Sequence, residues 1–376
     1  MQREQLEGPP IVDTETLRGW LEAGTPVSIL DVRPSRERTE WSIPGSVHVD
    51  AYDALWAGDA HALDAVTLPF DRPVVTVCAA GRTSLLAAAL LALRGHAVFS
   101  LARGMTGWTH AWNTAEVPLD ISGARVVQVR RTGKGCLSYV VGAGSGAVVI
   151  DPSVAPDVYI GIAAARGWTV RGVVDTHVHA DHLTRSRALA AKTGARVYLP
   201  EQTRARWDHV AMRDGDGLTV DDGVLLTALR TPGHTGESTC FSLGDRVLFT
   251  GDTLFLGSVG RPDLESGRQD AERRGRDLYV SLRRILALPP STLVLPGHTA
   301  SPVPFDGMPL VASLAEVRGR MEILASGEED FVAWVVARIP APPPNHGRII
   351  ALNESGETPE GDVTLLEAGA NRCAIA

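Results

Sequence analysis

Lysine is nearly absent. Of 36 basic residues only Lys134 and Lys192 are not arginine, and they are outnumbered by 44 Asp and Glu, for a net charge of -8. An acidic chain repels phosphate backbones, so nucleic acid is excluded as an expected partner. Long apolar runs are also missing. The longest, Leu85 to Leu93, is about half of what a membrane span needs, and Met1 to Pro10 lacks the basic-then-apolar layout of a secretory signal. A cytoplasmic protein with no membrane partner is expected. The four cysteines, Cys78, Cys136, Cys240 and Cys373, form no CxxC pair, which argues against a disulfide framework and fits a reducing compartment. Aromatics are sparse at 5%, yet 44% of the chain is hydrophobic and 21% charged, so it can bury large cores and is not disordered. Its 376 residues exceed what one core organises, and at least two domains are expected.

The first stretch, from residue 11 to about 113, alternates short β-rich runs (Val27 to Val32, Val47 to Val49, Val74 to Cys78, Ala97 to Leu101) with helical ones, notably Ser84 to Arg94. Strands separated by helices imply a parallel sheet covered on both faces. Thr114 to Gly123 contains Pro118 and Gly123 and no periodic pattern, so a linker is placed there, with its core at 119–123. Three strand-like runs follow, Val126 to Arg131, Leu137 to Val141 and Ala147 to Ile150, and strand and helix then alternate to His298. The domain expectations are 1–118, 124–320 for a mixed α/β layer fold, and 321–376 for a C-terminal helix and tail. In that last part helices are expected over about 309–324 and 329–339, before the run Pro342-Pro343-Pro344 and a polar tail.

Two places carry chemistry. In Cys78-Ala79-Ala80-Gly81-Arg82-Thr83-Ser84 a cysteine ends a strand and is followed by a short loop and a helix capped by Ser84. Free backbone N–H groups and the helix dipole converge there and favour a thiolate, hence a nucleophile. With Asp31-Val32-Arg33, Ile43-Pro44-Gly45, Gly104-Met105 and Trp108, residues 11 to 118 resemble a rhodanese domain, whose cysteine carries a persulfide sulfur between donor and acceptor thiols. The loop departs from that family's Cys-x-x-Gly-x-Arg-Ser: Arg82 stands one place early, as a source of positive charge for substrate binding, and Thr83 occupies the arginine position. An arginine there would normally pair with an acid such as Asp31.

The second place is Thr176-His177-Val178-His179-Ala180-Asp181-His182, between a strand and a helix expected over Leu183 to Lys192. Three imidazoles and a carboxylate in six residues suit Zn, Fe or Mn, and the alternation lets His177 and His179 face one point while Asp181 and His182 face another. His234, Asp252 and His298 each follow a glycine at a strand end. This spacing resembles the metallo-β-lactamase superfamily over about residues 124 to 300, which implies an αββα sandwich with the metal at the sheet edge. Asp151 falls where that family places an acid. The stretch Gly251 to Phe255 followed by Gly260 to Leu264 resembles the persulfide dioxygenases within it.

That resemblance implies oxidation of a glutathione-like persulfide with O2 to sulfite and free thiol. It implies one Fe(II) on His177, His234 and Asp252, with His179, Asp181, His182 and His298 as surrounding or second-metal groups. Arg261 becomes a candidate anchor for a substrate carboxylate, against a local salt bridge to Asp263. A rhodanese-like domain that moves sulfane sulfur would serve such an oxidase. Two alternatives stay open. One is a binuclear zinc thioester hydrolase of the glyoxalase II type, with His177, His179, His234 and Asp252 on one ion and Asp181, His182 and His298 joining Asp252 on the other. The other is a sulfur-binding or sensing module. Cys136 and Cys240 read as core, Cys373 as part of a mobile tail able to relay sulfur. Arg273, Arg274 and Arg276 read as a solvated helix face, and a homo-oligomer stays open.

Overall fold

The computed structural model describes residues 9–375 apart from 120, 122, 203 and 266. Five parallel strands open the chain: β1 (Ile11–Val12), β2 (Ser28–Asp31), β3 (Val47–His48), β4 (Val74–Val77) and β5 (Val98–Leu101), in the order β1-β5-β4-β2-β3. The apolar run of β4 is buried along its whole length, as a strand covered on both faces must be. Helices flank it, and Leu30, Val74, Ala87 and Leu91 pack on one side while Leu17, Val75, Val77 and Trp108 pack on the other.

A second sheet holds β6 (Asn113–Val117), β7 (Ala124–Arg131), β8 (Cys136–Ala143), β9 (Gly146–Ile150), β10 (Thr169–Val174), β11 (Arg196–Pro200) and β12 (Val210–Met212), in chain order. A third holds β13 (Gly217–Asp221), β14 (Val224–Arg230), β15 (Thr239–Leu243), β16 (Val247–Gly251), β17 (Leu293–Pro296) and β18 (Ala312–Ser313). Their inner faces share one core, including Val126, Tyr139, Val148, Leu226, Phe241 and Phe249. Helices Pro156–Ala164 and Ser186–Thr193 cover the second sheet, while Ala271–Leu286, Leu314–Arg320 and Glu328–Ala337 cover the third. This is the expected αββα sandwich behind a parallel-sheet α/β domain. Because β10, β16 and β17 all end at one edge, the loops that follow them converge there.

Two expectations are corrected. The stretch from Thr114 is not a free linker at its start: β6 pairs antiparallel with β7, Asn113 opposite Arg130 and Val117 opposite Val126, so the second sheet begins before the expected boundary at 118. Nor is the C-terminal part a loose tail. It forms helices His346–Ser355 and Thr364–Glu367, and its last residues pair with the 259–261 loop, where Ile375 N–H donates to the Val259 carbonyl and Arg261 N–H to that of Cys373. No helix among the described residues is long and apolar enough to cross a membrane.

Candidate functional site

Cys78 follows β4 directly and is 2% exposed. The Gly81 N–H donates to its Sγ at 3.1 Å, and the Ser84 hydroxyl lies 3.3 Å away. The helix starts at Thr83 with Arg82 in the cap position, so Ser84 does not cap it; Ser84 instead links the sulfur to the Ser100 hydroxyl at 2.9 Å. Gly81 has φ +81°, and a Cβ there would stand 2.7 Å from the Arg103 nitrogen. Only glycine lets the loop seat on Arg103 and Gly104. Asp31 finds its partners in Arg33, at 2.7 Å, and Arg38, at 3.4 Å, so the loop's missing arginine leaves no orphaned acid. Arg82 is solvent-exposed.

The metal loop leaves β10 at Val174, and its His177, His179, Asp181 and His182 are all buried. Nε2 of His177 and of His234 lie 3.8 and 3.5 Å from Oδ2 of Asp252. All three atoms are buried with no hydrogen-bond partner. Buried polar atoms are almost always satisfied, so three orphans aimed at one point fit a cation.

The opposite atom of each ligand is held in place. His234 Nδ1 donates to the Arg261 carbonyl at 2.8 Å, which leaves the Nε2 lone pair free. Thr176 gives its hydroxyl proton to Asp151 at 2.9 Å and so accepts from His177 Nδ1, also at 2.9 Å, with the same result. Asp252 Oδ1 accepts from His298 Nδ1 at 2.7 Å. Burial, helped by the neighbouring His179, keeps the His177 imidazole well below its ordinary range and therefore neutral. Burial opposes ionisation of Asp252, yet His298, His177 and His234 outweigh it and pull the carboxyl below its usual value. Gly297 completes the cradle, because a Cβ there would come within 2.6 Å of Asp252 Oδ1.

The other expected ligands divide differently from the sequence pattern. His179 does not join His177 at one point. Its ring lies 4.3 Å from that of His177, but its Nε2 faces Asp151 at 3.2 Å and Asp175 at 3.9 Å. Asp181, His182 and His298 come together with Cys136, which is no plain core residue. Cys136 Sγ is 3.3 Å from Asp181 Oδ2, His182 Nδ1 is 2.9 Å from Oδ1, and His298 Nε2 is 3.0 Å from Oδ2. His298 thus bridges two carboxylates, and despite burial Asp252 and Asp181 hold it well above its ordinary range. Burial and Asp181 push the Cys136 thiol up, but His182 and His298 prevail and bring it down to about 7. Cys240 is core as expected, and burial pushes it up to about 11.

Arg261 is not a substrate anchor. It is fully buried and donates from Nε and Nη2 to Asp263 at 2.7 and 2.9 Å, with its remaining donors on the carbonyls of Pro340, Ala341 and Arg372. It fastens the C-terminal segment down. Two residues of that segment, missed in the sequence, hold the metal loop. Asn353 donates to the carbonyls of His179 and His182 at 2.9 Å, and buried Glu367 accepts from Leu183 N–H at 2.7 Å while pairing with Arg131 and Arg185. Cys373, expected in a mobile tail, is fully buried, with its sulfur within 4.8 Å of ligand atoms of Asp252 and His298.

Known proteins share both parts. Residues 13–111 match the Rhodanese-like domain and residues 131–298 the Metallo-beta-lactamase superfamily. The chain therefore carries a rhodanese-like domain followed by a metallo-β-lactamase superfamily domain. The crystal structure of ETHE1 from Myxococcus xanthus is 32% identical with a TM-score of 0.53, covering 61% of this chain and 97% of that one. A metallo-beta-lactamase from Staphylococcus aureus subsp. aureus COL superposes with a TM-score of 0.57 at 26% identity, covering 63% of this chain and 75% of that one. The hydroxyacylglutathione hydrolase of Rhizobium johnstonii is 34% identical over 139 residues, 36% of this chain and 51% of that protein. That of Methylobacillus flagellatus is 35% identical over 153 residues, 40% of this chain and 57% of that protein. The chain spans little more than half the length of these curated relatives.

Proposed function

We propose that this protein oxidises a low-molecular-weight thiol persulfide with O2 and one water to sulfite, the free thiol and two protons, using one Fe(II) held by His177, His234 and Asp252. Cys78 in the rhodanese-like domain transfers sulfane sulfur to or from the same pool of thiols. The observation that carries this reading is the donor set itself. Two imidazole nitrogens and one carboxylate oxygen stand unpaired around one point. His179 Nε2, a further ligand in the zinc hydrolase alternative, is also buried without a hydrogen bond but points away from that group, towards Asp151 at 3.2 Å and Asp175 at 3.9 Å. Three protein ligands leave coordination positions open. When bound, the ion supplies activation of O2 and of the terminal persulfide sulfur side by side.

The chain's own residues do the rest. Thr176 and the Arg261 carbonyl fix the imidazole tautomers, and His298, between Asp252 and Asp181, is placed to hold a proton beside the reacting sulfur. Burial of every ligand excludes bulk water. The similarity to ETHE1 supports this reading; the hydroxyacylglutathione hydrolases support thioester hydrolysis at a binuclear site as the second one. The test is O2 uptake by anaerobically iron-loaded protein given glutathione persulfide, with sulfite measured in the same sample. Stoichiometric uptake and sulfite are expected. No uptake at confirmed iron occupancy, together with hydrolysis of an acylated glutathione, would overturn it in favour of the hydrolase.

A further inference from the structure

The longest apolar run of the sequence, Leu85 to Leu93, takes no part in either site. It makes up all but the first two residues of the helix Thr83–Leu93, which has no polar side chain beyond Ser84. A helix apolar on every face is normally buried on every face. Here Ala87, Ala88 and Leu91 pack into the rhodanese-like core, but Leu86 and Leu93 are 39% and 86% exposed, with Ala89 exposed between them. Spaced by three and four residues, these side chains form one stripe, and Arg82, four residues before Leu86, falls on the same face. Phe70, exposed and stacked on His96 just past the helix, extends the apolar surface at the far end. One exposed leucine is ordinary; a continuous apolar stripe marks a contact surface.

The two ends of the stripe carry opposite charges, roughly 16 Å apart along the helix. At its start Arg82 is exposed, with no carboxylate within ion-pair distance among the described residues. At its end Arg94 ties down the 60–64 loop through the Ala60 and Leu63 carbonyls and Asp64. Asp59, beside that loop, is exposed, accepts from the His61 N–H at 2.8 Å and has no cationic side chain within ion-pair distance among the described residues.

We infer that the outer face of this helix is an interface between two copies of the chain, the helices pairing antiparallel about a two-fold axis with Leu86 of each against Leu93 of the other. Such a pairing needs a self-complementary surface. Turned end for end, the stripe provides one: each Arg82 meets the partner's Asp59, and the two helix dipoles oppose. A lipid surface fits less well, because Asp59, Asp64 and the net charge of -8 repel anionic headgroups. Since Arg82 directly follows the Cys78 loop, the pairing brings the partner's 59–64 loop to the entrance of each rhodanese-like site. This holds whichever reaction the metal centre performs.

Sedimentation velocity of the full-length protein over a concentration series is the test. The unmodified protein is expected to assemble, and Leu93→Glu to sediment at half its mass. Arg82→Glu is expected to weaken association about tenfold, and adding Asp59→Arg to the same chain to restore it with the signs of the pair reversed. A monomer at every concentration, including one that binds phosphatidylcholine vesicles instead, overturns the proposal, as does an assembly that Leu93→Glu leaves intact. Loss in Arg82→Glu without recovery in the double variant overturns the antiparallel arrangement. Arg82 and Asp59 are exposed, so the charge exchange decides even where Leu93→Glu fails to fold.

Discussion

The sulfur of Cys78 takes its close contacts from Gly81 and Ser84, within six residues of chain, whereas the metal centre draws His177, His234, Asp252 and His298 from four loops of two sheets. The first site is a short loop held by its own backbone and by one neighbouring segment, Ser100 to Thr106. The second holds His177 Nε2, His234 Nε2 and Asp252 Oδ2 unpaired, so its geometry is stable only because the surrounding sandwich imposes it, and an ion completes it. A short loop needs one neighbouring segment to hold it; converging orphan donors need the whole sandwich.

Cutting each site separately is the strongest way to break that contrast. His234→Ala is expected to remove bound iron and O2 uptake while sulfur transfer at Cys78 survives, and Cys78→Ser to abolish transfer while iron occupancy and O2 uptake persist. Metal analysis with both assays checks this, and loss of both activities in either variant would mean that the two sites are one. Next in size is Arg261→Ala, which strands Asp263 and frees the C-terminal segment. About 3–5 kcal/mol of stability should be lost, as when one partner leaves a buried pair. Denaturant unfolding reads this, and a fall in substrate affinity at unchanged stability would restore Arg261 as an anchor.

Glu367→Gln sharpens the comparison further, because Glu367 ties the metal loop to Arg131, whose guanidinium also reaches the Thr109 carbonyl of the rhodanese-like domain. Burial opposes its ionisation, but Arg131 and Arg185 prevail and bring the carboxyl down to about 2. A lowered acid stabilises the fold above its ordinary value near 4.5 and loses that contribution as pH falls towards 2. The substitution should therefore cost roughly 3 kcal/mol at pH 7 and little near pH 2, with weaker metal binding at neutral pH. A cost independent of pH would contradict the charge assignment. The smallest effect is expected from Cys373→Ser: with the tail fastened at Arg261, Val259 and Lys134, stability should change by less than about 1 kcal/mol and coupled transfer and oxidation not at all. A clear drop in coupled turnover would make Cys373 a sulfur carrier.

Both layers of the fold were legible in the sequence because they are written in short-range patterns. Strand and helix alternation implied the parallel sheet, and the three runs from Val126 implied a mixed α/β layer fold, which the metallo-β-lactamase resemblance narrowed to the sandwich. The candidate metal-binding loops were legible for a similar reason, since His177, His234 and Asp252 each sit in a strand-end motif, but the choice of these three as one set came from the persulfide dioxygenase resemblance, the local alternation having paired His177 with His179. β6 was missed because its pairing with β7 depends on a partner beyond Pro118, and Pro118 itself argues for a break.

The sequence alone therefore determined the fold class and marked the loops in which Cys78 and the clustered His and Asp residues stand. Only the tertiary structure decided how they divide. It turned His179 towards Asp151 and set Cys136 opposite Asp181, because residue 136 forms a bridge to residue 298 across the two sheets. It also spent Arg261 on Asp263 and three carbonyls, and brought Asn353, Glu367 and Cys373 from the far end of the chain onto the metal loop. Residue type and local spacing travel with the sequence, but which buried donor meets which acceptor is settled by the packing of distant segments, where every polar group taken from water must find its partner.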